Sequence, residues 1–221
     1  APQQSDLVAL GVELILSHFV AAEEPDTAVT ALQIARFAEW RARCPAIPAS
    51  LANSSGHFLP DPPFYALSRP GYALYVGNPT PGARNPMRDI VRLTAPILGL
   101  RDVSADEPCG YSATWTSRRR ARIAAIGVGY ADGYPRACGA ADSRPAALAV
   151  VEGRRVAVVG RVSMDLTLID VSDAPDARVG SEIVLIGEGI GVDEVGEWAG
   201  TNGYEILTRL GPRYARRYHG A

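Results

Sequence analysis

Residues 12–19, VELILSHF, form a short apolar run that ends near His18 and gives way to the polar residues 21–26. A run of this length bounded by a polar loop predicts a buried strand with a loop at its carboxyl end. From Thr27 to Arg43 the apolar positions Val29, Leu32, Ile34, Phe37 and Trp40 recur at approximately helical spacing, with Asp26 placed to cap the helix and Pro45 to stop it. Residues 49–52 and 64–67 read as further strands, followed respectively by the loop Asn53-Ser54-Ser55-Gly56 and by Arg69-Pro70-Gly71. Strand and helix in alternation predict βα units and a parallel sheet. A closed (β/α)8 barrel takes about 250 residues, so residues 1–83 hold only the last units of one.

After the breaker-rich stretch 77–86, GNPTPGARNP, the texture changes. Period-two alternation at Val91, Leu93, Ala95 and Ile97 opens a series of strands, continued at 121–128, 147–151, 156–162, 166–171 and 182–186 and punctuated by Gly and Asp. Residues 84–221 are therefore expected to form an antiparallel β domain. Two short helices, 193–199 and 203–210, close the chain, the second capped by Asn202 with Gly211 beyond its end. The fold class is α/β followed by all-β.

Composition narrows the function classes. With 47% hydrophobic and 21% charged residues the chain is an ordinary globular one. A formal net charge of -2 leaves no basic footprint for nucleic acid, and the run Arg118-Arg119-Arg120 reads as a solvated turn. Cys44, Cys109 and Cys138 are scattered without CxxC spacing, so neither a disulfide framework nor a metal site is expected, and a reducing compartment is the simpler inference. No apolar run is long enough for a membrane span and the first residues do not resemble a secretory signal, which points to the cytoplasm and to no membrane partner. All 22 Lys+Arg residues are arginine; the absence of lysine removes lysine Schiff-base chemistry from these 221 residues.

Four segments carry candidate chemistry, each with an ordinary alternative. Asn53-Ser54-Ser55-Gly56 presents hydroxyl and N–H groups at a strand end, suited to a phosphate or simply to a polar loop. His18 and Arg69 fall at strand ends on the same side of a parallel sheet, where α/β proteins gather their sites; each is also a plausible structural hydrogen-bonder. Tyr130, in GYADGYP, is either an acid–base phenol at the end of a strand or a turn tyrosine covering the core edge, with Asp132-Gly133 making the turn. Ser163-Met164-Asp165 joins two strands and exposes backbone N–H groups beside a carboxylate, or is merely a corner.

Taken together, SHFVAAEEP (17–25), LANSSGHF with LSRPGYALYVG (51–77), IGVGYADGYPR (126–136), GRVSMD (160–165) and the tail GYEILTRLGPRYARRY (203–218) resemble, in order, the alanine racemases, pyridoxal-phosphate enzymes with a barrel domain followed by a β domain. The resemblance implies interconversion of L- and D-alanine by two-base proton transfer on a cofactor-linked amino acid, in a cytoplasmic homodimer with shared active sites that supplies D-alanine for the cell wall. It makes Tyr130 the base on the L-face, acting on the partner subunit's cofactor, with His18 touching that tyrosine and Arg69 facing the pyridine nitrogen. Ser54, with Asn53 in its loop and the backbone of Gly71 and Tyr72, would hold the phosphate. The Met164 N–H, beside Asp165, would bind the substrate carboxylate. The family's second base is a lysine early in the barrel, so the sequence reads as the carboxyl-terminal part of such an enzyme. Pro212 departs from the pattern, standing where some members carry a tyrosine that contacts the phosphate. Two alternatives remain open: a non-catalytic binding or assembly module, and a racemase for another small amino acid such as serine.

Overall fold

The structure is a computed structural model that describes residues 3–24 and 27–220. Two compact units divide it at Arg88/Asp89.

In the first unit, α1 (Gln4–Ala9) precedes β1 (Ile15–Leu16), α2 (Ala28–Arg43) and β2 (Ala49–Ser50). Strands β1 and β2 pair in parallel. The neighbouring segment runs alongside β2, with a parallel bridge between Ser50 and Leu67 and an N–H from Arg69 to the Ala52 carbonyl at 2.9 Å. The parallel βα arrangement expected from the sequence is present, but its strands are shorter. The run 12–19 contracts to Ile15–Leu16 because the Leu7 carbonyl draws the Val12 N–H (3.0 Å) into the turn that ends α1, a helix the sequence pattern did not suggest. The strand expected at 64–67 reduces to the Leu67 bridge, since Pro62 and Pro63 lack N–H groups and Phe64 donates its own to the Pro62 carbonyl at 2.8 Å.

Helix α2 lies where expected; the Asp26 cap falls outside the described residues. Its apolar positions divide into two faces. Thr30, Ile34 and Phe37 turn inward, Ile34 and Phe37 packing with Phe19, Ala49 and Leu51, whereas Val29, Leu32 and Trp40 lie on the opposite side and are exposed. Gln33 fixes the loop after β1. Its Nε2 donates to the His18 carbonyl at 2.6 Å and its Oε1 accepts the Val20 N–H at 3.2 Å.

The second unit is built on a closed antiparallel barrel of six strands. Around it run β10 (Glu182–Ile186), β3 (Leu93–Val103), β6 (Ala121–Ile126), β9 (Thr167–Asp170), β8 (Arg154–Val159) and β7 (Leu148–Val151), in that order. Closure depends on the Val184–Val150 pair joining β10 to β7. Inward positions such as Ile97, Ile126, Val158, Ile169, Ile183 and Leu185 are at most 1% exposed and fill the interior. Strand β3 extends past the expected residue 97 to Val103; an irregularity between Ile97 and Gly99 lets one strand serve both neighbours, β10 through residues 93–96 and β6 through 97–103. A small hairpin, β4 (Pro108–Cys109) with β5 (Trp115–Thr116), was hidden by its brevity and by Pro108 and Gly110. The Arg118-Arg119-Arg120 run is exposed as expected and pairs with Asp102, Asp170 and Asp173, surface contacts that contribute little to stability.

Helices α3 (Val192–Ala199) and α4 (Gly203–Arg209) close the unit, with Val195 and Ile206 buried. Asn202 caps α4 as expected, its Oδ1 accepting the Glu205 N–H at 3.2 Å.

Candidate active site

Two groups of sequence-selected residues assemble, one in each unit. In the first, Arg69 is tied down on several sides. Its guanidinium donates to the Ser17 carbonyl at 2.6 Å and to the Ser50 hydroxyl, and its Nη2 lies 3.5 Å from His18 Nδ1. The structure thus brings His18 and Arg69 together at the carboxyl ends of β1 and of the segment beside β2. Arginine keeps its charge at any working pH, so this end of the sheet presents a fixed, oriented cation.

Next to it, the loop after β2 folds onto the start of the short 3-10 turn Tyr72–Tyr75. Ser54, 2% exposed, accepts the N–H groups of Gly71 and Ala73 on its hydroxyl oxygen, each at 3.1 Å. Asn53 turns its side chain into its own loop, where Oδ1 accepts the Gly56 N–H at 2.9 Å. A Cβ built on Gly71 would meet no atom within 4 Å, so the glycine leaves open space beside its N–H. The Ser54 O–H, the backbone N–H groups that converge on its oxygen and the unfilled space beside Gly71 are chemistry suited to a phosphate monoester, which would take those N–H groups over from Ser54, and the cation of Arg69 lies on the same chain segment.

In the second unit, GYADG and GRVSMD meet backbone to backbone at the end of β6. Tyr130 donates its N–H to the Ser163 carbonyl and Ala131 donates to the Met164 carbonyl, both at 3.0 Å. Gly129 makes the approach possible: a Cβ there would lie 2.3 Å from the Met164 carbonyl oxygen and 2.4 Å from that of Ser163. Below, the Thr167 hydroxyl donates to the Val128 carbonyl at 2.7 Å, fixing the strand end from which the corner springs. Gly133 sits at φ +105°, and a Cβ there would lie 2.0 Å from the Arg209 carbonyl oxygen, so the end of α4 presses on the corner from the other side. Asp132, 6% exposed, accepts the Gly129 N–H on Oδ2 at 2.8 Å, closing the turn on itself.

Two phenols leave this segment, and the structure separates them. Tyr134 is 1% exposed, and burial pushes its phenol well above the usual tyrosine value. Tyr130 is 41% exposed at the tip of the corner, beside Met164, which is more open still at 54%. Tyr134 therefore belongs to the core, whereas the Tyr130 side chain is open to solvent. The Met164 N–H donates to no carbonyl among the described residues and is available to an anion. Asp165 reaches instead to Arg213, whose Nη2 lies 2.8 Å from its Oδ1. Arg213 also contacts Asp132, Nε to Oδ1, at 3.1 Å. Sequence reasoning missed this arginine, because only the third dimension brings the carboxyl-terminal tail to the two loops.

Beneath the corner, burial pushes the Cys138 thiol up to about 11, opposed by Arg144, and raises Tyr214, with Asp132 adding to the effect. Both groups, and Tyr134, favour their neutral forms when folded. Their contribution to stability is complete below the unfolded-state values, near 9 for the thiol and 10 for the phenols, and is lost as pH rises through the folded values. Urea midpoints are therefore expected to fall from about pH 9 toward pH 11, with Cys138 alone contributing a slope approaching about 1.4 kcal/mol per pH unit. A midpoint that stays level over that window would contradict the burial of these groups.

Comparison with known proteins agrees with this layout. Residues 90–218 match the family model for the alanine racemase C-terminal domain, and residues 3–79 match that for the N-terminal domain. An alanine racemase from Methylobacterium nodulans is 54% identical over 208 residues, 93% of this chain and 55% of that protein. One from Acidiphilium cryptum is 53% identical over 211 residues, 95% of this chain and 57% of the relative. The crystal structure of biosynthetic alanine racemase from Pseudomonas aeruginosa superposes with a TM-score of 0.84 at 36% identity, covering 94% of this chain and 57% of that one. Alanine racemase from Bartonella henselae, solved with covalently bound pyridoxal phosphate, gives a TM-score of 0.85 at 31% identity, covering 98% and 61%. The chain spans about half the length of the curated relatives it matches. The short parallel βα units followed by the antiparallel barrel are thus the carboxyl-terminal portion of that two-domain fold, and the chain belongs to the alanine racemase family.

Proposed function

We propose that a complete polypeptide containing these residues racemises alanine with pyridoxal phosphate, and that this chain supplies the phenol base and the phosphate cradle while a lysine elsewhere anchors the cofactor. The observation that carries the reading is the Tyr130 corner, where one phenol of the segment is buried and the other is held out beside an available N–H.

Pyridoxal phosphate, when bound, draws electrons from the α-carbon of an amino acid joined to it and so acidifies the α-hydrogen. The phenolic oxygen of Tyr130 would exchange a proton with the α-carbon on the L-face, the bonding electrons staying with the carbon. Met164 orients the substrate by donating its N–H to the carboxylate, with Asp165 beside it. Ser54, the N–H groups of Gly71 and its successors Tyr72 and Ala73, and the Asn53 loop hold the phosphate. Arg69, held by Ser17, Ser50 and His18, is assigned to the pyridine nitrogen, where a fixed cation disfavours a second positive charge. Support for the cofactor comes from the fit of the Ser54 cradle and from the family.

From the family resemblance we further assign Tyr130 to the cofactor of a second subunit, which makes the enzyme a homodimer with shared sites. A cytoplasmic role in supplying D-alanine to the cell wall accompanies this reading; among the described residues no helix is long and apolar enough to cross a membrane.

The complete polypeptide is expected to form a borohydride-reducible cofactor adduct and to racemise alanine, whereas the 221 residues alone, lacking lysine, are not. A complete polypeptide with neither adduct nor racemisation would leave the non-catalytic module as the better account. Serine is the competing substrate. A pocket shaped for a methyl group rejects an added hydroxyl by only about 10- to 200-fold, so kcat/KM for alanine should exceed that for serine within that range; a ratio below one would change the substrate.

A further inference from the structure

The loop carrying Tyr130 and the loop carrying Met164 each place a carboxylate beside the group assigned to the chemistry. Asp132 lies two residues after the phenol, and Asp165 directly follows the N–H donor. Left to themselves, two carboxylates on touching loops would repel one another, and Asp165 would repel an anionic substrate carboxylate arriving at Met164. One side chain answers both problems. Arg213 places Nε 3.1 Å from Asp132 Oδ1 and Nη2 2.8 Å from Asp165 Oδ1, so a single planar guanidinium bridges the two loops. We propose that Arg213 is a positioning residue of the racemase, a clamp from the carboxyl-terminal tail that sets Tyr130 relative to Met164 and cancels the negative charge beside the substrate carboxylate.

Three observations carry it. The Asp132 side chain is 9% exposed and already accepts the Gly129 N–H, so its remaining oxygen is directed at Arg213 and has little room elsewhere. The tail that bears Arg213 is itself anchored to the same corner, with Gly211 donating to the Asp132 carbonyl at 3.0 Å. Arg213 is half exposed, with 51% of its side chain accessible, and solvent-screened pairs of that kind add little to stability. Its effect therefore falls on geometry and local charge. Lysine cannot reproduce it, since an ammonium is a point charge without a two-pronged planar reach.

This inference rests on the proposed racemase reading, and its test is read in the complete holoenzyme. The variants are Arg213→Ala, Arg213→Lys and, as the control for the reading, Tyr130→Phe. Each is incubated in deuterium oxide with L-alanine or with D-alanine, and label entry at the α-carbon is followed alongside kcat, KM, the visible absorption of bound cofactor and the melting temperature. In the reading, Tyr130 serves the L-face and the lysine the D-face, so displacing the Tyr130 loop affects the two isomers unequally. Arg213→Ala is expected to slow label entry into L-alanine by about 10- to 100-fold, the range a misplacement of roughly 1 Å produces. Entry into D-alanine and cofactor absorption should be largely retained, while KM rises for both isomers. Arg213→Lys, which keeps a charge but reaches one carboxylate, should fall between and also covers the case in which the alanine variant does not fold. Equal losses for both isomers in step with a lowered melting temperature, or no change in either, would overturn the clamp. A Tyr130→Phe enzyme that still labels L-alanine at the wild-type rate would instead sink the racemase reading itself.

Discussion

Replacing Tyr130 by phenylalanine in the complete polypeptide is expected to lower alanine racemisation by about 10²- to 10⁴-fold, the usual contribution of one positioned acid–base group, while leaving cofactor absorption unchanged. The two parts of that expectation have separate structural grounds. The hydroxyl is the only group lost, and among the described residues Tyr130 is held through its backbone, its N–H donating to the Ser163 carbonyl. The corner should therefore keep its shape. The cradle of Ser54, Gly71 and Ala73 is built by hydrogen bonds within its own compact unit. Tyr134→Phe provides the contrast. It removes the hydroxyl of a buried residue 1% exposed, and so it should alter stability while leaving racemisation close to normal. A Tyr130→Phe enzyme at full activity, or a Tyr134→Phe enzyme that folds but is inactive, would reverse the assignment of the two phenols.

Gly133→Ala is expected to destabilise the β unit by on the order of 3 kcal/mol, with a matching fall in the urea midpoint. Two penalties coincide there. An L-residue is strained at φ +105°, and its Cβ would stand 2.0 Å from a backbone carbonyl oxygen, that of Arg209, which cannot rotate away as a flexible side chain could. To relieve the contact the end of α4 must withdraw, and the Gly211–Asp132 contact sits on that same end. Gly153→Ala is the control. Gly153 has φ +71° in the tight turn between β7 and β8, but a Cβ there would meet nothing within 4 Å. Only the conformational cost of about 1 kcal/mol should remain. Equal losses at the two glycines would mean that the pressure of α4 on the corner has been overstated.

How far the sequence reveals this molecule differs between its halves for a physical reason. In the β unit β9 alternates buried and half-buried positions, while β6 and β10, the latter buried on both faces from Ile183 to Ile186, stand out as short apolar runs between turn residues; both signals locate the strands within a few residues. Closure of the barrel was not legible, because it depends on the pairing of Val184 with Val150, a contact with no local signature. In the first unit the apolar runs were seen but their lengths were not; prolines and turn hydrogen bonds end the strands, and nothing in the runs themselves marks where pairing stops. Helix α2 shows a related limit. Counting apolar residues merged a buried face, Ile34 and Phe37, with an exposed one, Val29, Leu32 and Trp40.

The candidate site divides along similar lines. Asn53-Ser54-Ser55-Gly56 and GYADG each fit an ordinary loop or turn when taken alone and stood out only through the combined resemblance; the structure brings Ser54 to Gly71 and His18 to Arg69. Which of two tyrosines faces solvent depends on burial, which the segment GYADGYP does not encode. Arg213 meets Asp165 from 48 residues away and had no pattern to betray it.

The central claim is that an exposed phenol at a glycine-built corner moves the α-hydrogen of L-alanine, while a lysine outside these 221 residues serves the opposite face. The most direct measurement is entry of solvent deuterium at the α-carbon of each alanine isomer in the Tyr130→Phe holoenzyme. The account predicts that label ceases to enter L-alanine and continues to enter D-alanine; undiminished entry into L-alanine would contradict it.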